Sequence, residues 1–291
     1  MPVEVDNKPE MKITAIAPWF GGKRNLAPKI IEMLGPHNVY WEPFCGSMAV
    51  LMAKPPCRME TVNDLHSDLV NLARVLQNED TAKKLYGMSA RTLMSEELFE
   101  EASLRIQTKQ TGGSDYEPVD MAYDYLLSAW LGRNGVTGTA SCGHSFCVRY
   151  TNNGGDSARR WQSVIASIPA WQWRLSKVTI LNRDAFEIIG KIPDNDDVAI
   201  YVDPPYLVKG VKYLHDFKPE DHVKLSIALR RFEKARVVVS YYDDELLEQL
   251  YPGWGKHKID VSKAMGNTGS RGKKDVRAVE VLLTNEGQMS V

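Results

Sequence analysis

The residues with the most chemical content are Asp203, Pro204, Pro205 and Tyr206, in the segment DDVAIYVDPPYLVKG at 196–210. The carboxylate can accept hydrogen bonds, and the tyrosine offers a flat ring. Residues 198–202 are strand-forming types. Two prolines cannot donate to a sheet ladder, so the strand stops at the acid. This acid, rigid kink and ring are either a plain turn or part of an active site. The neighbours in the fold decide between the two.

Three further polar signals fall at predicted strand ends: EPFCGS, NDLHSD and NRDAF. In a parallel sheet, ligands bind outside the carboxyl ends of the strands. Gly46 follows one strand and permits a close backbone approach to a small ligand. Asp64 closes the next strand, where an acid can accept hydrogen bonds from ribose hydroxyls. Asp184 follows VTIL and has the same potential. Each acid could instead simply cap the helix after it. Near the N-terminus, WFGGKRN places Lys23 after two glycines, where it could lie over an anionic group such as a carboxylate. Trp19 and Phe20 could shield a ligand, although Phe20 fits better as packing of the N-terminal segment on the core. Neither the phosphate-binding G-x-x-x-x-G-K-[ST] loop nor a full G-x-G-x-x-G is present.

The elements that hold these residues follow an α/β pattern. LAPKIIEML reads as an amphipathic helix ending at Gly35. NVYWEPFCGSMAVLMAK and METVNDLHSDLVNLARVLQN each read as strand, turn and helix, the second with Leu65, Leu69, Leu72 and Leu76 at helical spacing. Residues 81–131 read as helices without strands, and the stretch after them is rich in Gly, Asn and Ser before the helix WQSVIASI. The α/β pattern resumes with KVTILNRD, DVAIYVDPPY, PEDHVKLSIALRRFEK, RVVVSYY, DDELLEQLY and AVEVLLTN. The expected organisation is an α/β domain over 11–80 and 171–285, an insertion at 81–170, and loose termini at 1–10 and 286–291.

Bulk properties narrow the class. The 291 residues are 43% hydrophobic and 25% charged, a globular composition. No apolar run approaches the ~20 residues needed to span a bilayer, and the polar N-terminus is no secretory signal. Cys142, His144 and Cys147 in CGHSFC match no common zinc spacing, so reduced thiols in the cytoplasm are expected. A net charge of −1 gives no global pull on nucleic acid. Local basic clusters at Arg159 and Arg160, at Lys209 and Lys212, and over 271–277 fit phosphate contacts. No sustained heptad pattern appears, and a monomer is expected.

Taken in chain order, WFGGK, EPFCGS, NDLHSDL, an insertion, RDAF and DPPY resemble the Dam-like, alpha-class DNA adenine-N6 methyltransferases. VVVSYYDDELLEQLY and EVLLTN resemble later segments of that family. The resemblance covers residues 14–80 and 177–285. It implies a Rossmann-like, S-adenosylmethionine-dependent fold with a mainly helical inserted target-recognition domain. It implies double-stranded DNA as substrate, with a cognate restriction endonuclease as companion in a restriction-modification system. By position, Trp19 and Lys23 would contact the amino-acid end of the methyl donor, and Phe44 and Gly46 would line its pocket. Asp64 would bind its ribose and Asp184 its adenine amino group, while Asp203 and Tyr206 would hold the target base. One departure stands out: the family's turn reads F-x-G-x-G, and Met48 occupies the second glycine position.

The resemblance gives the prolines a purpose. Adenine N6 is a poor nucleophile, because its lone pair is delocalised into the ring. Asp203 can accept one of its N–H groups and the Pro204 carbonyl the other, held ready by restricted φ. A base inside a duplex must be swung out to be reached, and Tyr206 offers a stacking face. Arg133, Asn134, Asn152, Asn153, Arg159 and Arg160 are the DNA contacts expected from the insertion. The rival readings are the same chemistry on RNA adenine or a protein amide, a catalytically decayed DNA-binding module, and a nicotinamide oxidoreductase.

Overall fold

Short runs of β-branched and aromatic residues build a seven-stranded sheet. Its strands are β1 (Val39–Glu42), β2 (Met59–Asn63), β3 (Thr179–Leu181), β4 (Val198–Val202), β5 (Arg236–Tyr242), β6 (Gly255–Val261) and β7 (Ala278–Thr284). The computed structural model describes residues 9–110, 116–132, 146–147, 156–206, 217–261 and 278–285. The strand order is β3-β2-β1-β4-β5-β7-β6. β1 to β5 pair in parallel, and β7 runs antiparallel to both β5 and β6. Strand order therefore reverses between β1 and β4, which opens a crevice at their carboxyl ends.

β4 is buried on both faces, as expected for the unbroken apolar run VAIYV in a parallel sheet. Side chains alternate between two cores. Tyr40, Ala199, Tyr201 and Val238 enter one, while Val198, Ile200, Val202, Val237 and Val239 enter the other. β6 is a strand that the sequence pattern does not announce, since GKHKIDV has no apolar alternation. It is an edge strand, where lysines are tolerated. Lys256 and Lys258 both pair with Asp243 at 3.1 and 2.7 Å.

The helices are α1 (Ala27–Leu34), α2 (Ala49–Ala53), α3 (Ser67–Gln77), α4 (Glu79–Ala90), α5 (Glu96–Gln110), α6 (Pro118–Leu131), α7 (Ser157–Leu175), α8 (Ala185–Ile189), α9 (Pro219–Leu229) and α10 (Leu246–Leu250). α3 buries Leu69, Leu72 and Leu76 as their spacing predicts. Leu65 does not belong to that stripe: it precedes the helix and is 42% exposed. Between β2 and β3 the described residues form the helices α3 to α7, with no strand among them. α6 and α7 place Trp130, Trp161 and Trp171 in the same core as Leu72 and Tyr40.

Two of these tryptophans also fasten the N-terminal segment. Trp171 Nε1 donates to the Ile13 carbonyl at 2.7 Å and Trp130 Nε1 to the Ile16 carbonyl at 3.1 Å. The Ile16 N–H then donates to the Ser47 carbonyl at 3.1 Å, which brings the segment against the turn after β1. On the same face, the buried Glu60 of β2 receives Arg174 at 2.5 and 2.8 Å and Lys54 at 2.5 Å. No helix among the described residues is long and apolar enough to cross a membrane.

Candidate active site

The carboxyl ends of β1, β2 and β3 are tied together by one side chain. Asn63 Nδ2 donates to the carbonyls of Pro43 and Arg183, both at 3.0 Å, and its Oδ1 accepts the Arg183 N–H at 2.9 Å. The Cys45 N–H adds a bond to the Asn63 carbonyl at 2.9 Å. The turn after β1 is thus fixed on β2 before any ligand arrives.

Gly46 lies inside that turn with φ +43°. A Cβ there would sit 2.8 Å from Trp19 Nε1, so glycine is required both by the backbone and by the indole against it. The Gly46 N–H donates to Asp64 Oδ2 at 2.8 Å. Asp64 Oδ1 accepts the His66 N–H at 2.9 Å. Asp64 is therefore not the cap of α3; that role falls to His66, whose Nδ1 accepts the Leu69 N–H at 3.3 Å. Each Asp64 oxygen keeps a further lone pair for a hydroxyl donor. Asp184 is both things at once: it caps α8 through the Phe186 N–H at 2.7 Å, and it lines the cavity.

That cavity measures about 230 Å³ and lies over the strand ends. Trp19, Lys23, Phe44, Gly46, Asp64, Asp184, Asp203 and Pro204 all line it, and these were the residues chosen from the sequence. Phe20, expected in the core, lines it too. The sequence pattern did not single out Asn63, His66, Phe186 and Phe217, which also line it. Phe186 and Phe217 stack with centroids 5.8 Å apart, and Phe44 meets Phe217 edge-on at 5.5 Å. Phe217 directly precedes Lys218, the N-cap of α9, and no periodicity marks it.

Asp203 stands at the end of β4 with 20% of its side chain exposed. Its Oδ2 is 2.9 Å from Lys23 Nζ. Its Oδ1 is buried and has no hydrogen-bond partner among the described residues. Burial pushes the Asp203 carboxyl up to about 6, with Lys23 opposing and Glu280 adding to the shift. Lys23 was expected over an anionic ligand, yet it already binds protein groups. Besides Asp203 it reaches Glu280 at 3.2 Å and donates to the Gly21 carbonyl at 2.5 Å.

Tyr206 does not line the cavity. Its ring is buried edge-on to Tyr242 at 4.6 Å, and its hydroxyl donates to Glu280 Oε1 at 2.5 Å. Among the expected DNA contacts, Arg159 is 91% exposed and only loosely paired with Asp156 at 3.8 Å. Arg160 instead donates to the Trp130 carbonyl at 2.7 Å and lies over the Trp130 ring, a tether between α7 and α6. Arg133, Asn134, Asn152 and Asn153 lie outside the described residues, as do Cys142, His144, Lys209, Lys212 and 271–277.

Parallel strands with a reversal between β1 and β4, an antiparallel strand pair at the edge, and an acid-and-aromatic cavity over the strand ends are consistent with a Rossmann-like methyltransferase fold. Residues 19–265 match the model of the D12 class N6 adenine-specific DNA methyltransferases, and the chain belongs to that family. It is 26% identical over 292 residues to Type II methyltransferase M1.LlaDCHI of Lactococcus lactis subsp. cremoris, an alignment covering 96% of this chain and 98% of that protein. It is 25% identical over 275 residues to the Retron Ec67 DNA adenine methylase of Escherichia coli, covering 92% and 91%. The protein is an adenine-specific DNA methyltransferase. The family selects DNA over the RNA, protein-amide and nicotinamide readings.

Proposed function

We propose that the chain methylates N6 of an adenine swung out of double-stranded DNA, with S-adenosylmethionine as donor and Asp203 as the principal acceptor for the target amine. The observation that carries this reading is the buried Asp203 Oδ1, which has no hydrogen-bond partner among the described residues and lies beside Pro204 at the cavity wall. A buried acceptor without a donor costs about 1–3 kcal/mol. An incoming amine N–H removes that cost.

The cavity suits the donor's chemistry. Asp64 has lone pairs for the ribose hydroxyls, and Asp184 accepts from the adenine amino group. Phe44, Phe186 and Phe217 supply apolar walls, and Trp19 and Lys23 bound the amino-acid end. When bound, S-adenosylmethionine supplies an electrophilic methyl group on a sulfonium.

The protein's own part is to prepare the nitrogen. Asp203 Oδ1 accepts one N–H and the Pro204 carbonyl the other, which draws the lone pair out of conjugation. Positive charge grows on N6 in the transition state, and acceptors already in place stabilise it more than they stabilise the ground state. One N–H proton then passes to Asp203 Oδ1. Residues 81–170 read the DNA sequence, and Arg159 contacts phosphate. Tyr206 is a buried support of the acceptor segment, in addition to any face it turns toward the base.

The test is incubation with radiolabelled S-adenosylmethionine and random-sequence DNA or RNA, followed by nucleoside analysis. N6-methyladenine in DNA is expected. Asp203→Ala should leave cofactor and DNA binding measurable while lowering methyl transfer by about 10²-fold or more. Near-normal turnover in that variant sinks the residue assignment.

A further inference from the structure

Glu280 is a buried carboxylate in the middle of β7, followed by the apolar Val281, Leu282 and Leu283. A charged residue at such a position is rarely buried unless paired. Its partners all belong to the site. Oε1 accepts the Tyr206 hydroxyl at 2.5 Å and lies 3.2 Å from Lys23 Nζ. The same ammonium is 2.9 Å from Asp203 Oδ2 and sits 5.0 Å from the centre of the Tyr206 ring. One cation is thus divided between two carboxylates, and the tyrosine closes the circuit.

We infer that Glu280 is a positioning residue for methyl transfer: it anchors Tyr206 and holds Lys23 away from an exclusive pair with Asp203, so that Asp203 remains a strong acceptor. This rests on the reading of Asp203 as the acceptor for the target amine. If Lys23 paired with Asp203 alone, it would neutralise the carboxylate and weaken its pull on N–H. With Glu280 present, two acids share one ammonium, and the ionised Asp203 is the more basic and therefore stronger acceptor.

The other groups around Asp203 do not replace this balance. Glu42 of β1 is itself pushed up to about 8 by burial, which favours its neutral form. Tyr201 of β4, Tyr206, and Tyr241 and Tyr242 of β5 are all raised by burial and stay un-ionised. Among the described residues, Lys23 and Glu280 are the charged groups that bear most on Asp203.

The experiment is single-turnover methylation of DNA across pH, with KM measured separately for cofactor and DNA. Wild type should show an acid limb near pH 6, since below it Asp203 holds a proton and cannot accept. Glu280→Gln keeps an acceptor for Tyr206 but removes the charge. It should move the limb down on the order of one pH unit and lower kcat about tenfold, with both KM values little changed. Glu280→Asp should keep the limb where wild type has it. A limb unmoved in Glu280→Gln overturns the inference, because a merely structural carboxylate would alter melting and not the limb. If Glu280→Gln fails to fold, Tyr206→Phe decides: it deletes only the hydroxyl donor, and an unchanged kcat there overturns the anchoring role. Asp203→Ala separates the two levels. Should that variant turn over normally, the acceptor reading falls; should it be dead while Glu280→Gln behaves as wild type, only the role of Glu280 falls.

Discussion

Met48 occupies left-handed backbone, φ +60° and ψ +31°, at the N-cap of α2. It is the non-glycine residue with positive φ among those described, and its side chain is fully buried in the core. The left-handed conformation costs a residue with a Cβ about 1–2 kcal/mol. Deleting a buried methionine side chain costs about 2–5 kcal/mol. The second effect is the larger, so Met48→Gly should destabilise the protein by about 1–3 kcal/mol in urea melts, although it restores the family's glycine. Affinity for the methyl donor should change little, because Gly46 lines the cavity and Met48 does not. At this scale the sequence was most readable where side chains stand next to strand ends. Asp64, Asp184 and Asp203 could be placed from the residues before them. Glu280 could not, because its partner Tyr206 lies 74 residues away and no local pattern joins them.

At the scale of elements, the loop carrying Trp19 and Lys23 depends on helices far along the chain. α7 holds Ile13 through Trp171 Nε1 and through Ser167 Oγ, which accepts the Ile13 N–H at 3.1 Å. α6 holds Ile16 through Trp130. Trp171→Phe keeps most of the ring but strands a buried carbonyl. It should cost about 1–3 kcal/mol in thermal or urea unfolding. It should also weaken binding of the methyl donor more than binding of DNA, in separate titrations, because the freed segment leads directly to Trp19. The helices α4 to α6 and the helix at WQSVIASI were legible as helices without strands. Their attachment to the N-terminal segment was not, since an indole N–H finds its carbonyl only once the helix has packed.

For the whole molecule, the buried cluster of Glu60, Arg174 and Lys54 joins β2, α7 and the chain after α2. Burial alone would raise the Glu60 carboxyl, but Arg174 and Lys54 together hold it below its ordinary value. An acid lowered in this way stabilises the fold above the unfolded carboxylate range. That contribution is lost as pH falls through the lowered native value. Glu60→Gln leaves two buried cations without a counter-charge and should cost about 3–5 kcal/mol. Urea melts at neutral pH measure this, and the gap between wild type and variant should narrow in acid.

By itself, the sequence determined the alternation of strands and helices and the polar residues that end each strand. It did so because strand periodicity, proline and glycine act within a few residues. It also carried the family, since the motifs resemble that family's in their order along the chain and the family model matches residues 19–265. Only the tertiary structure decided which groups share a proton or a cation. Lys23 belongs to Asp203 and Glu280, Tyr206 turns inward, and Arg160 braces α6 while Arg159 stays in solvent. β6 likewise becomes a strand only against β7. The physical reason is the same in each case. Charge sharing, burial and edge pairing depend on which distant segments meet, and that is fixed when the sheet closes its order between β1 and β4.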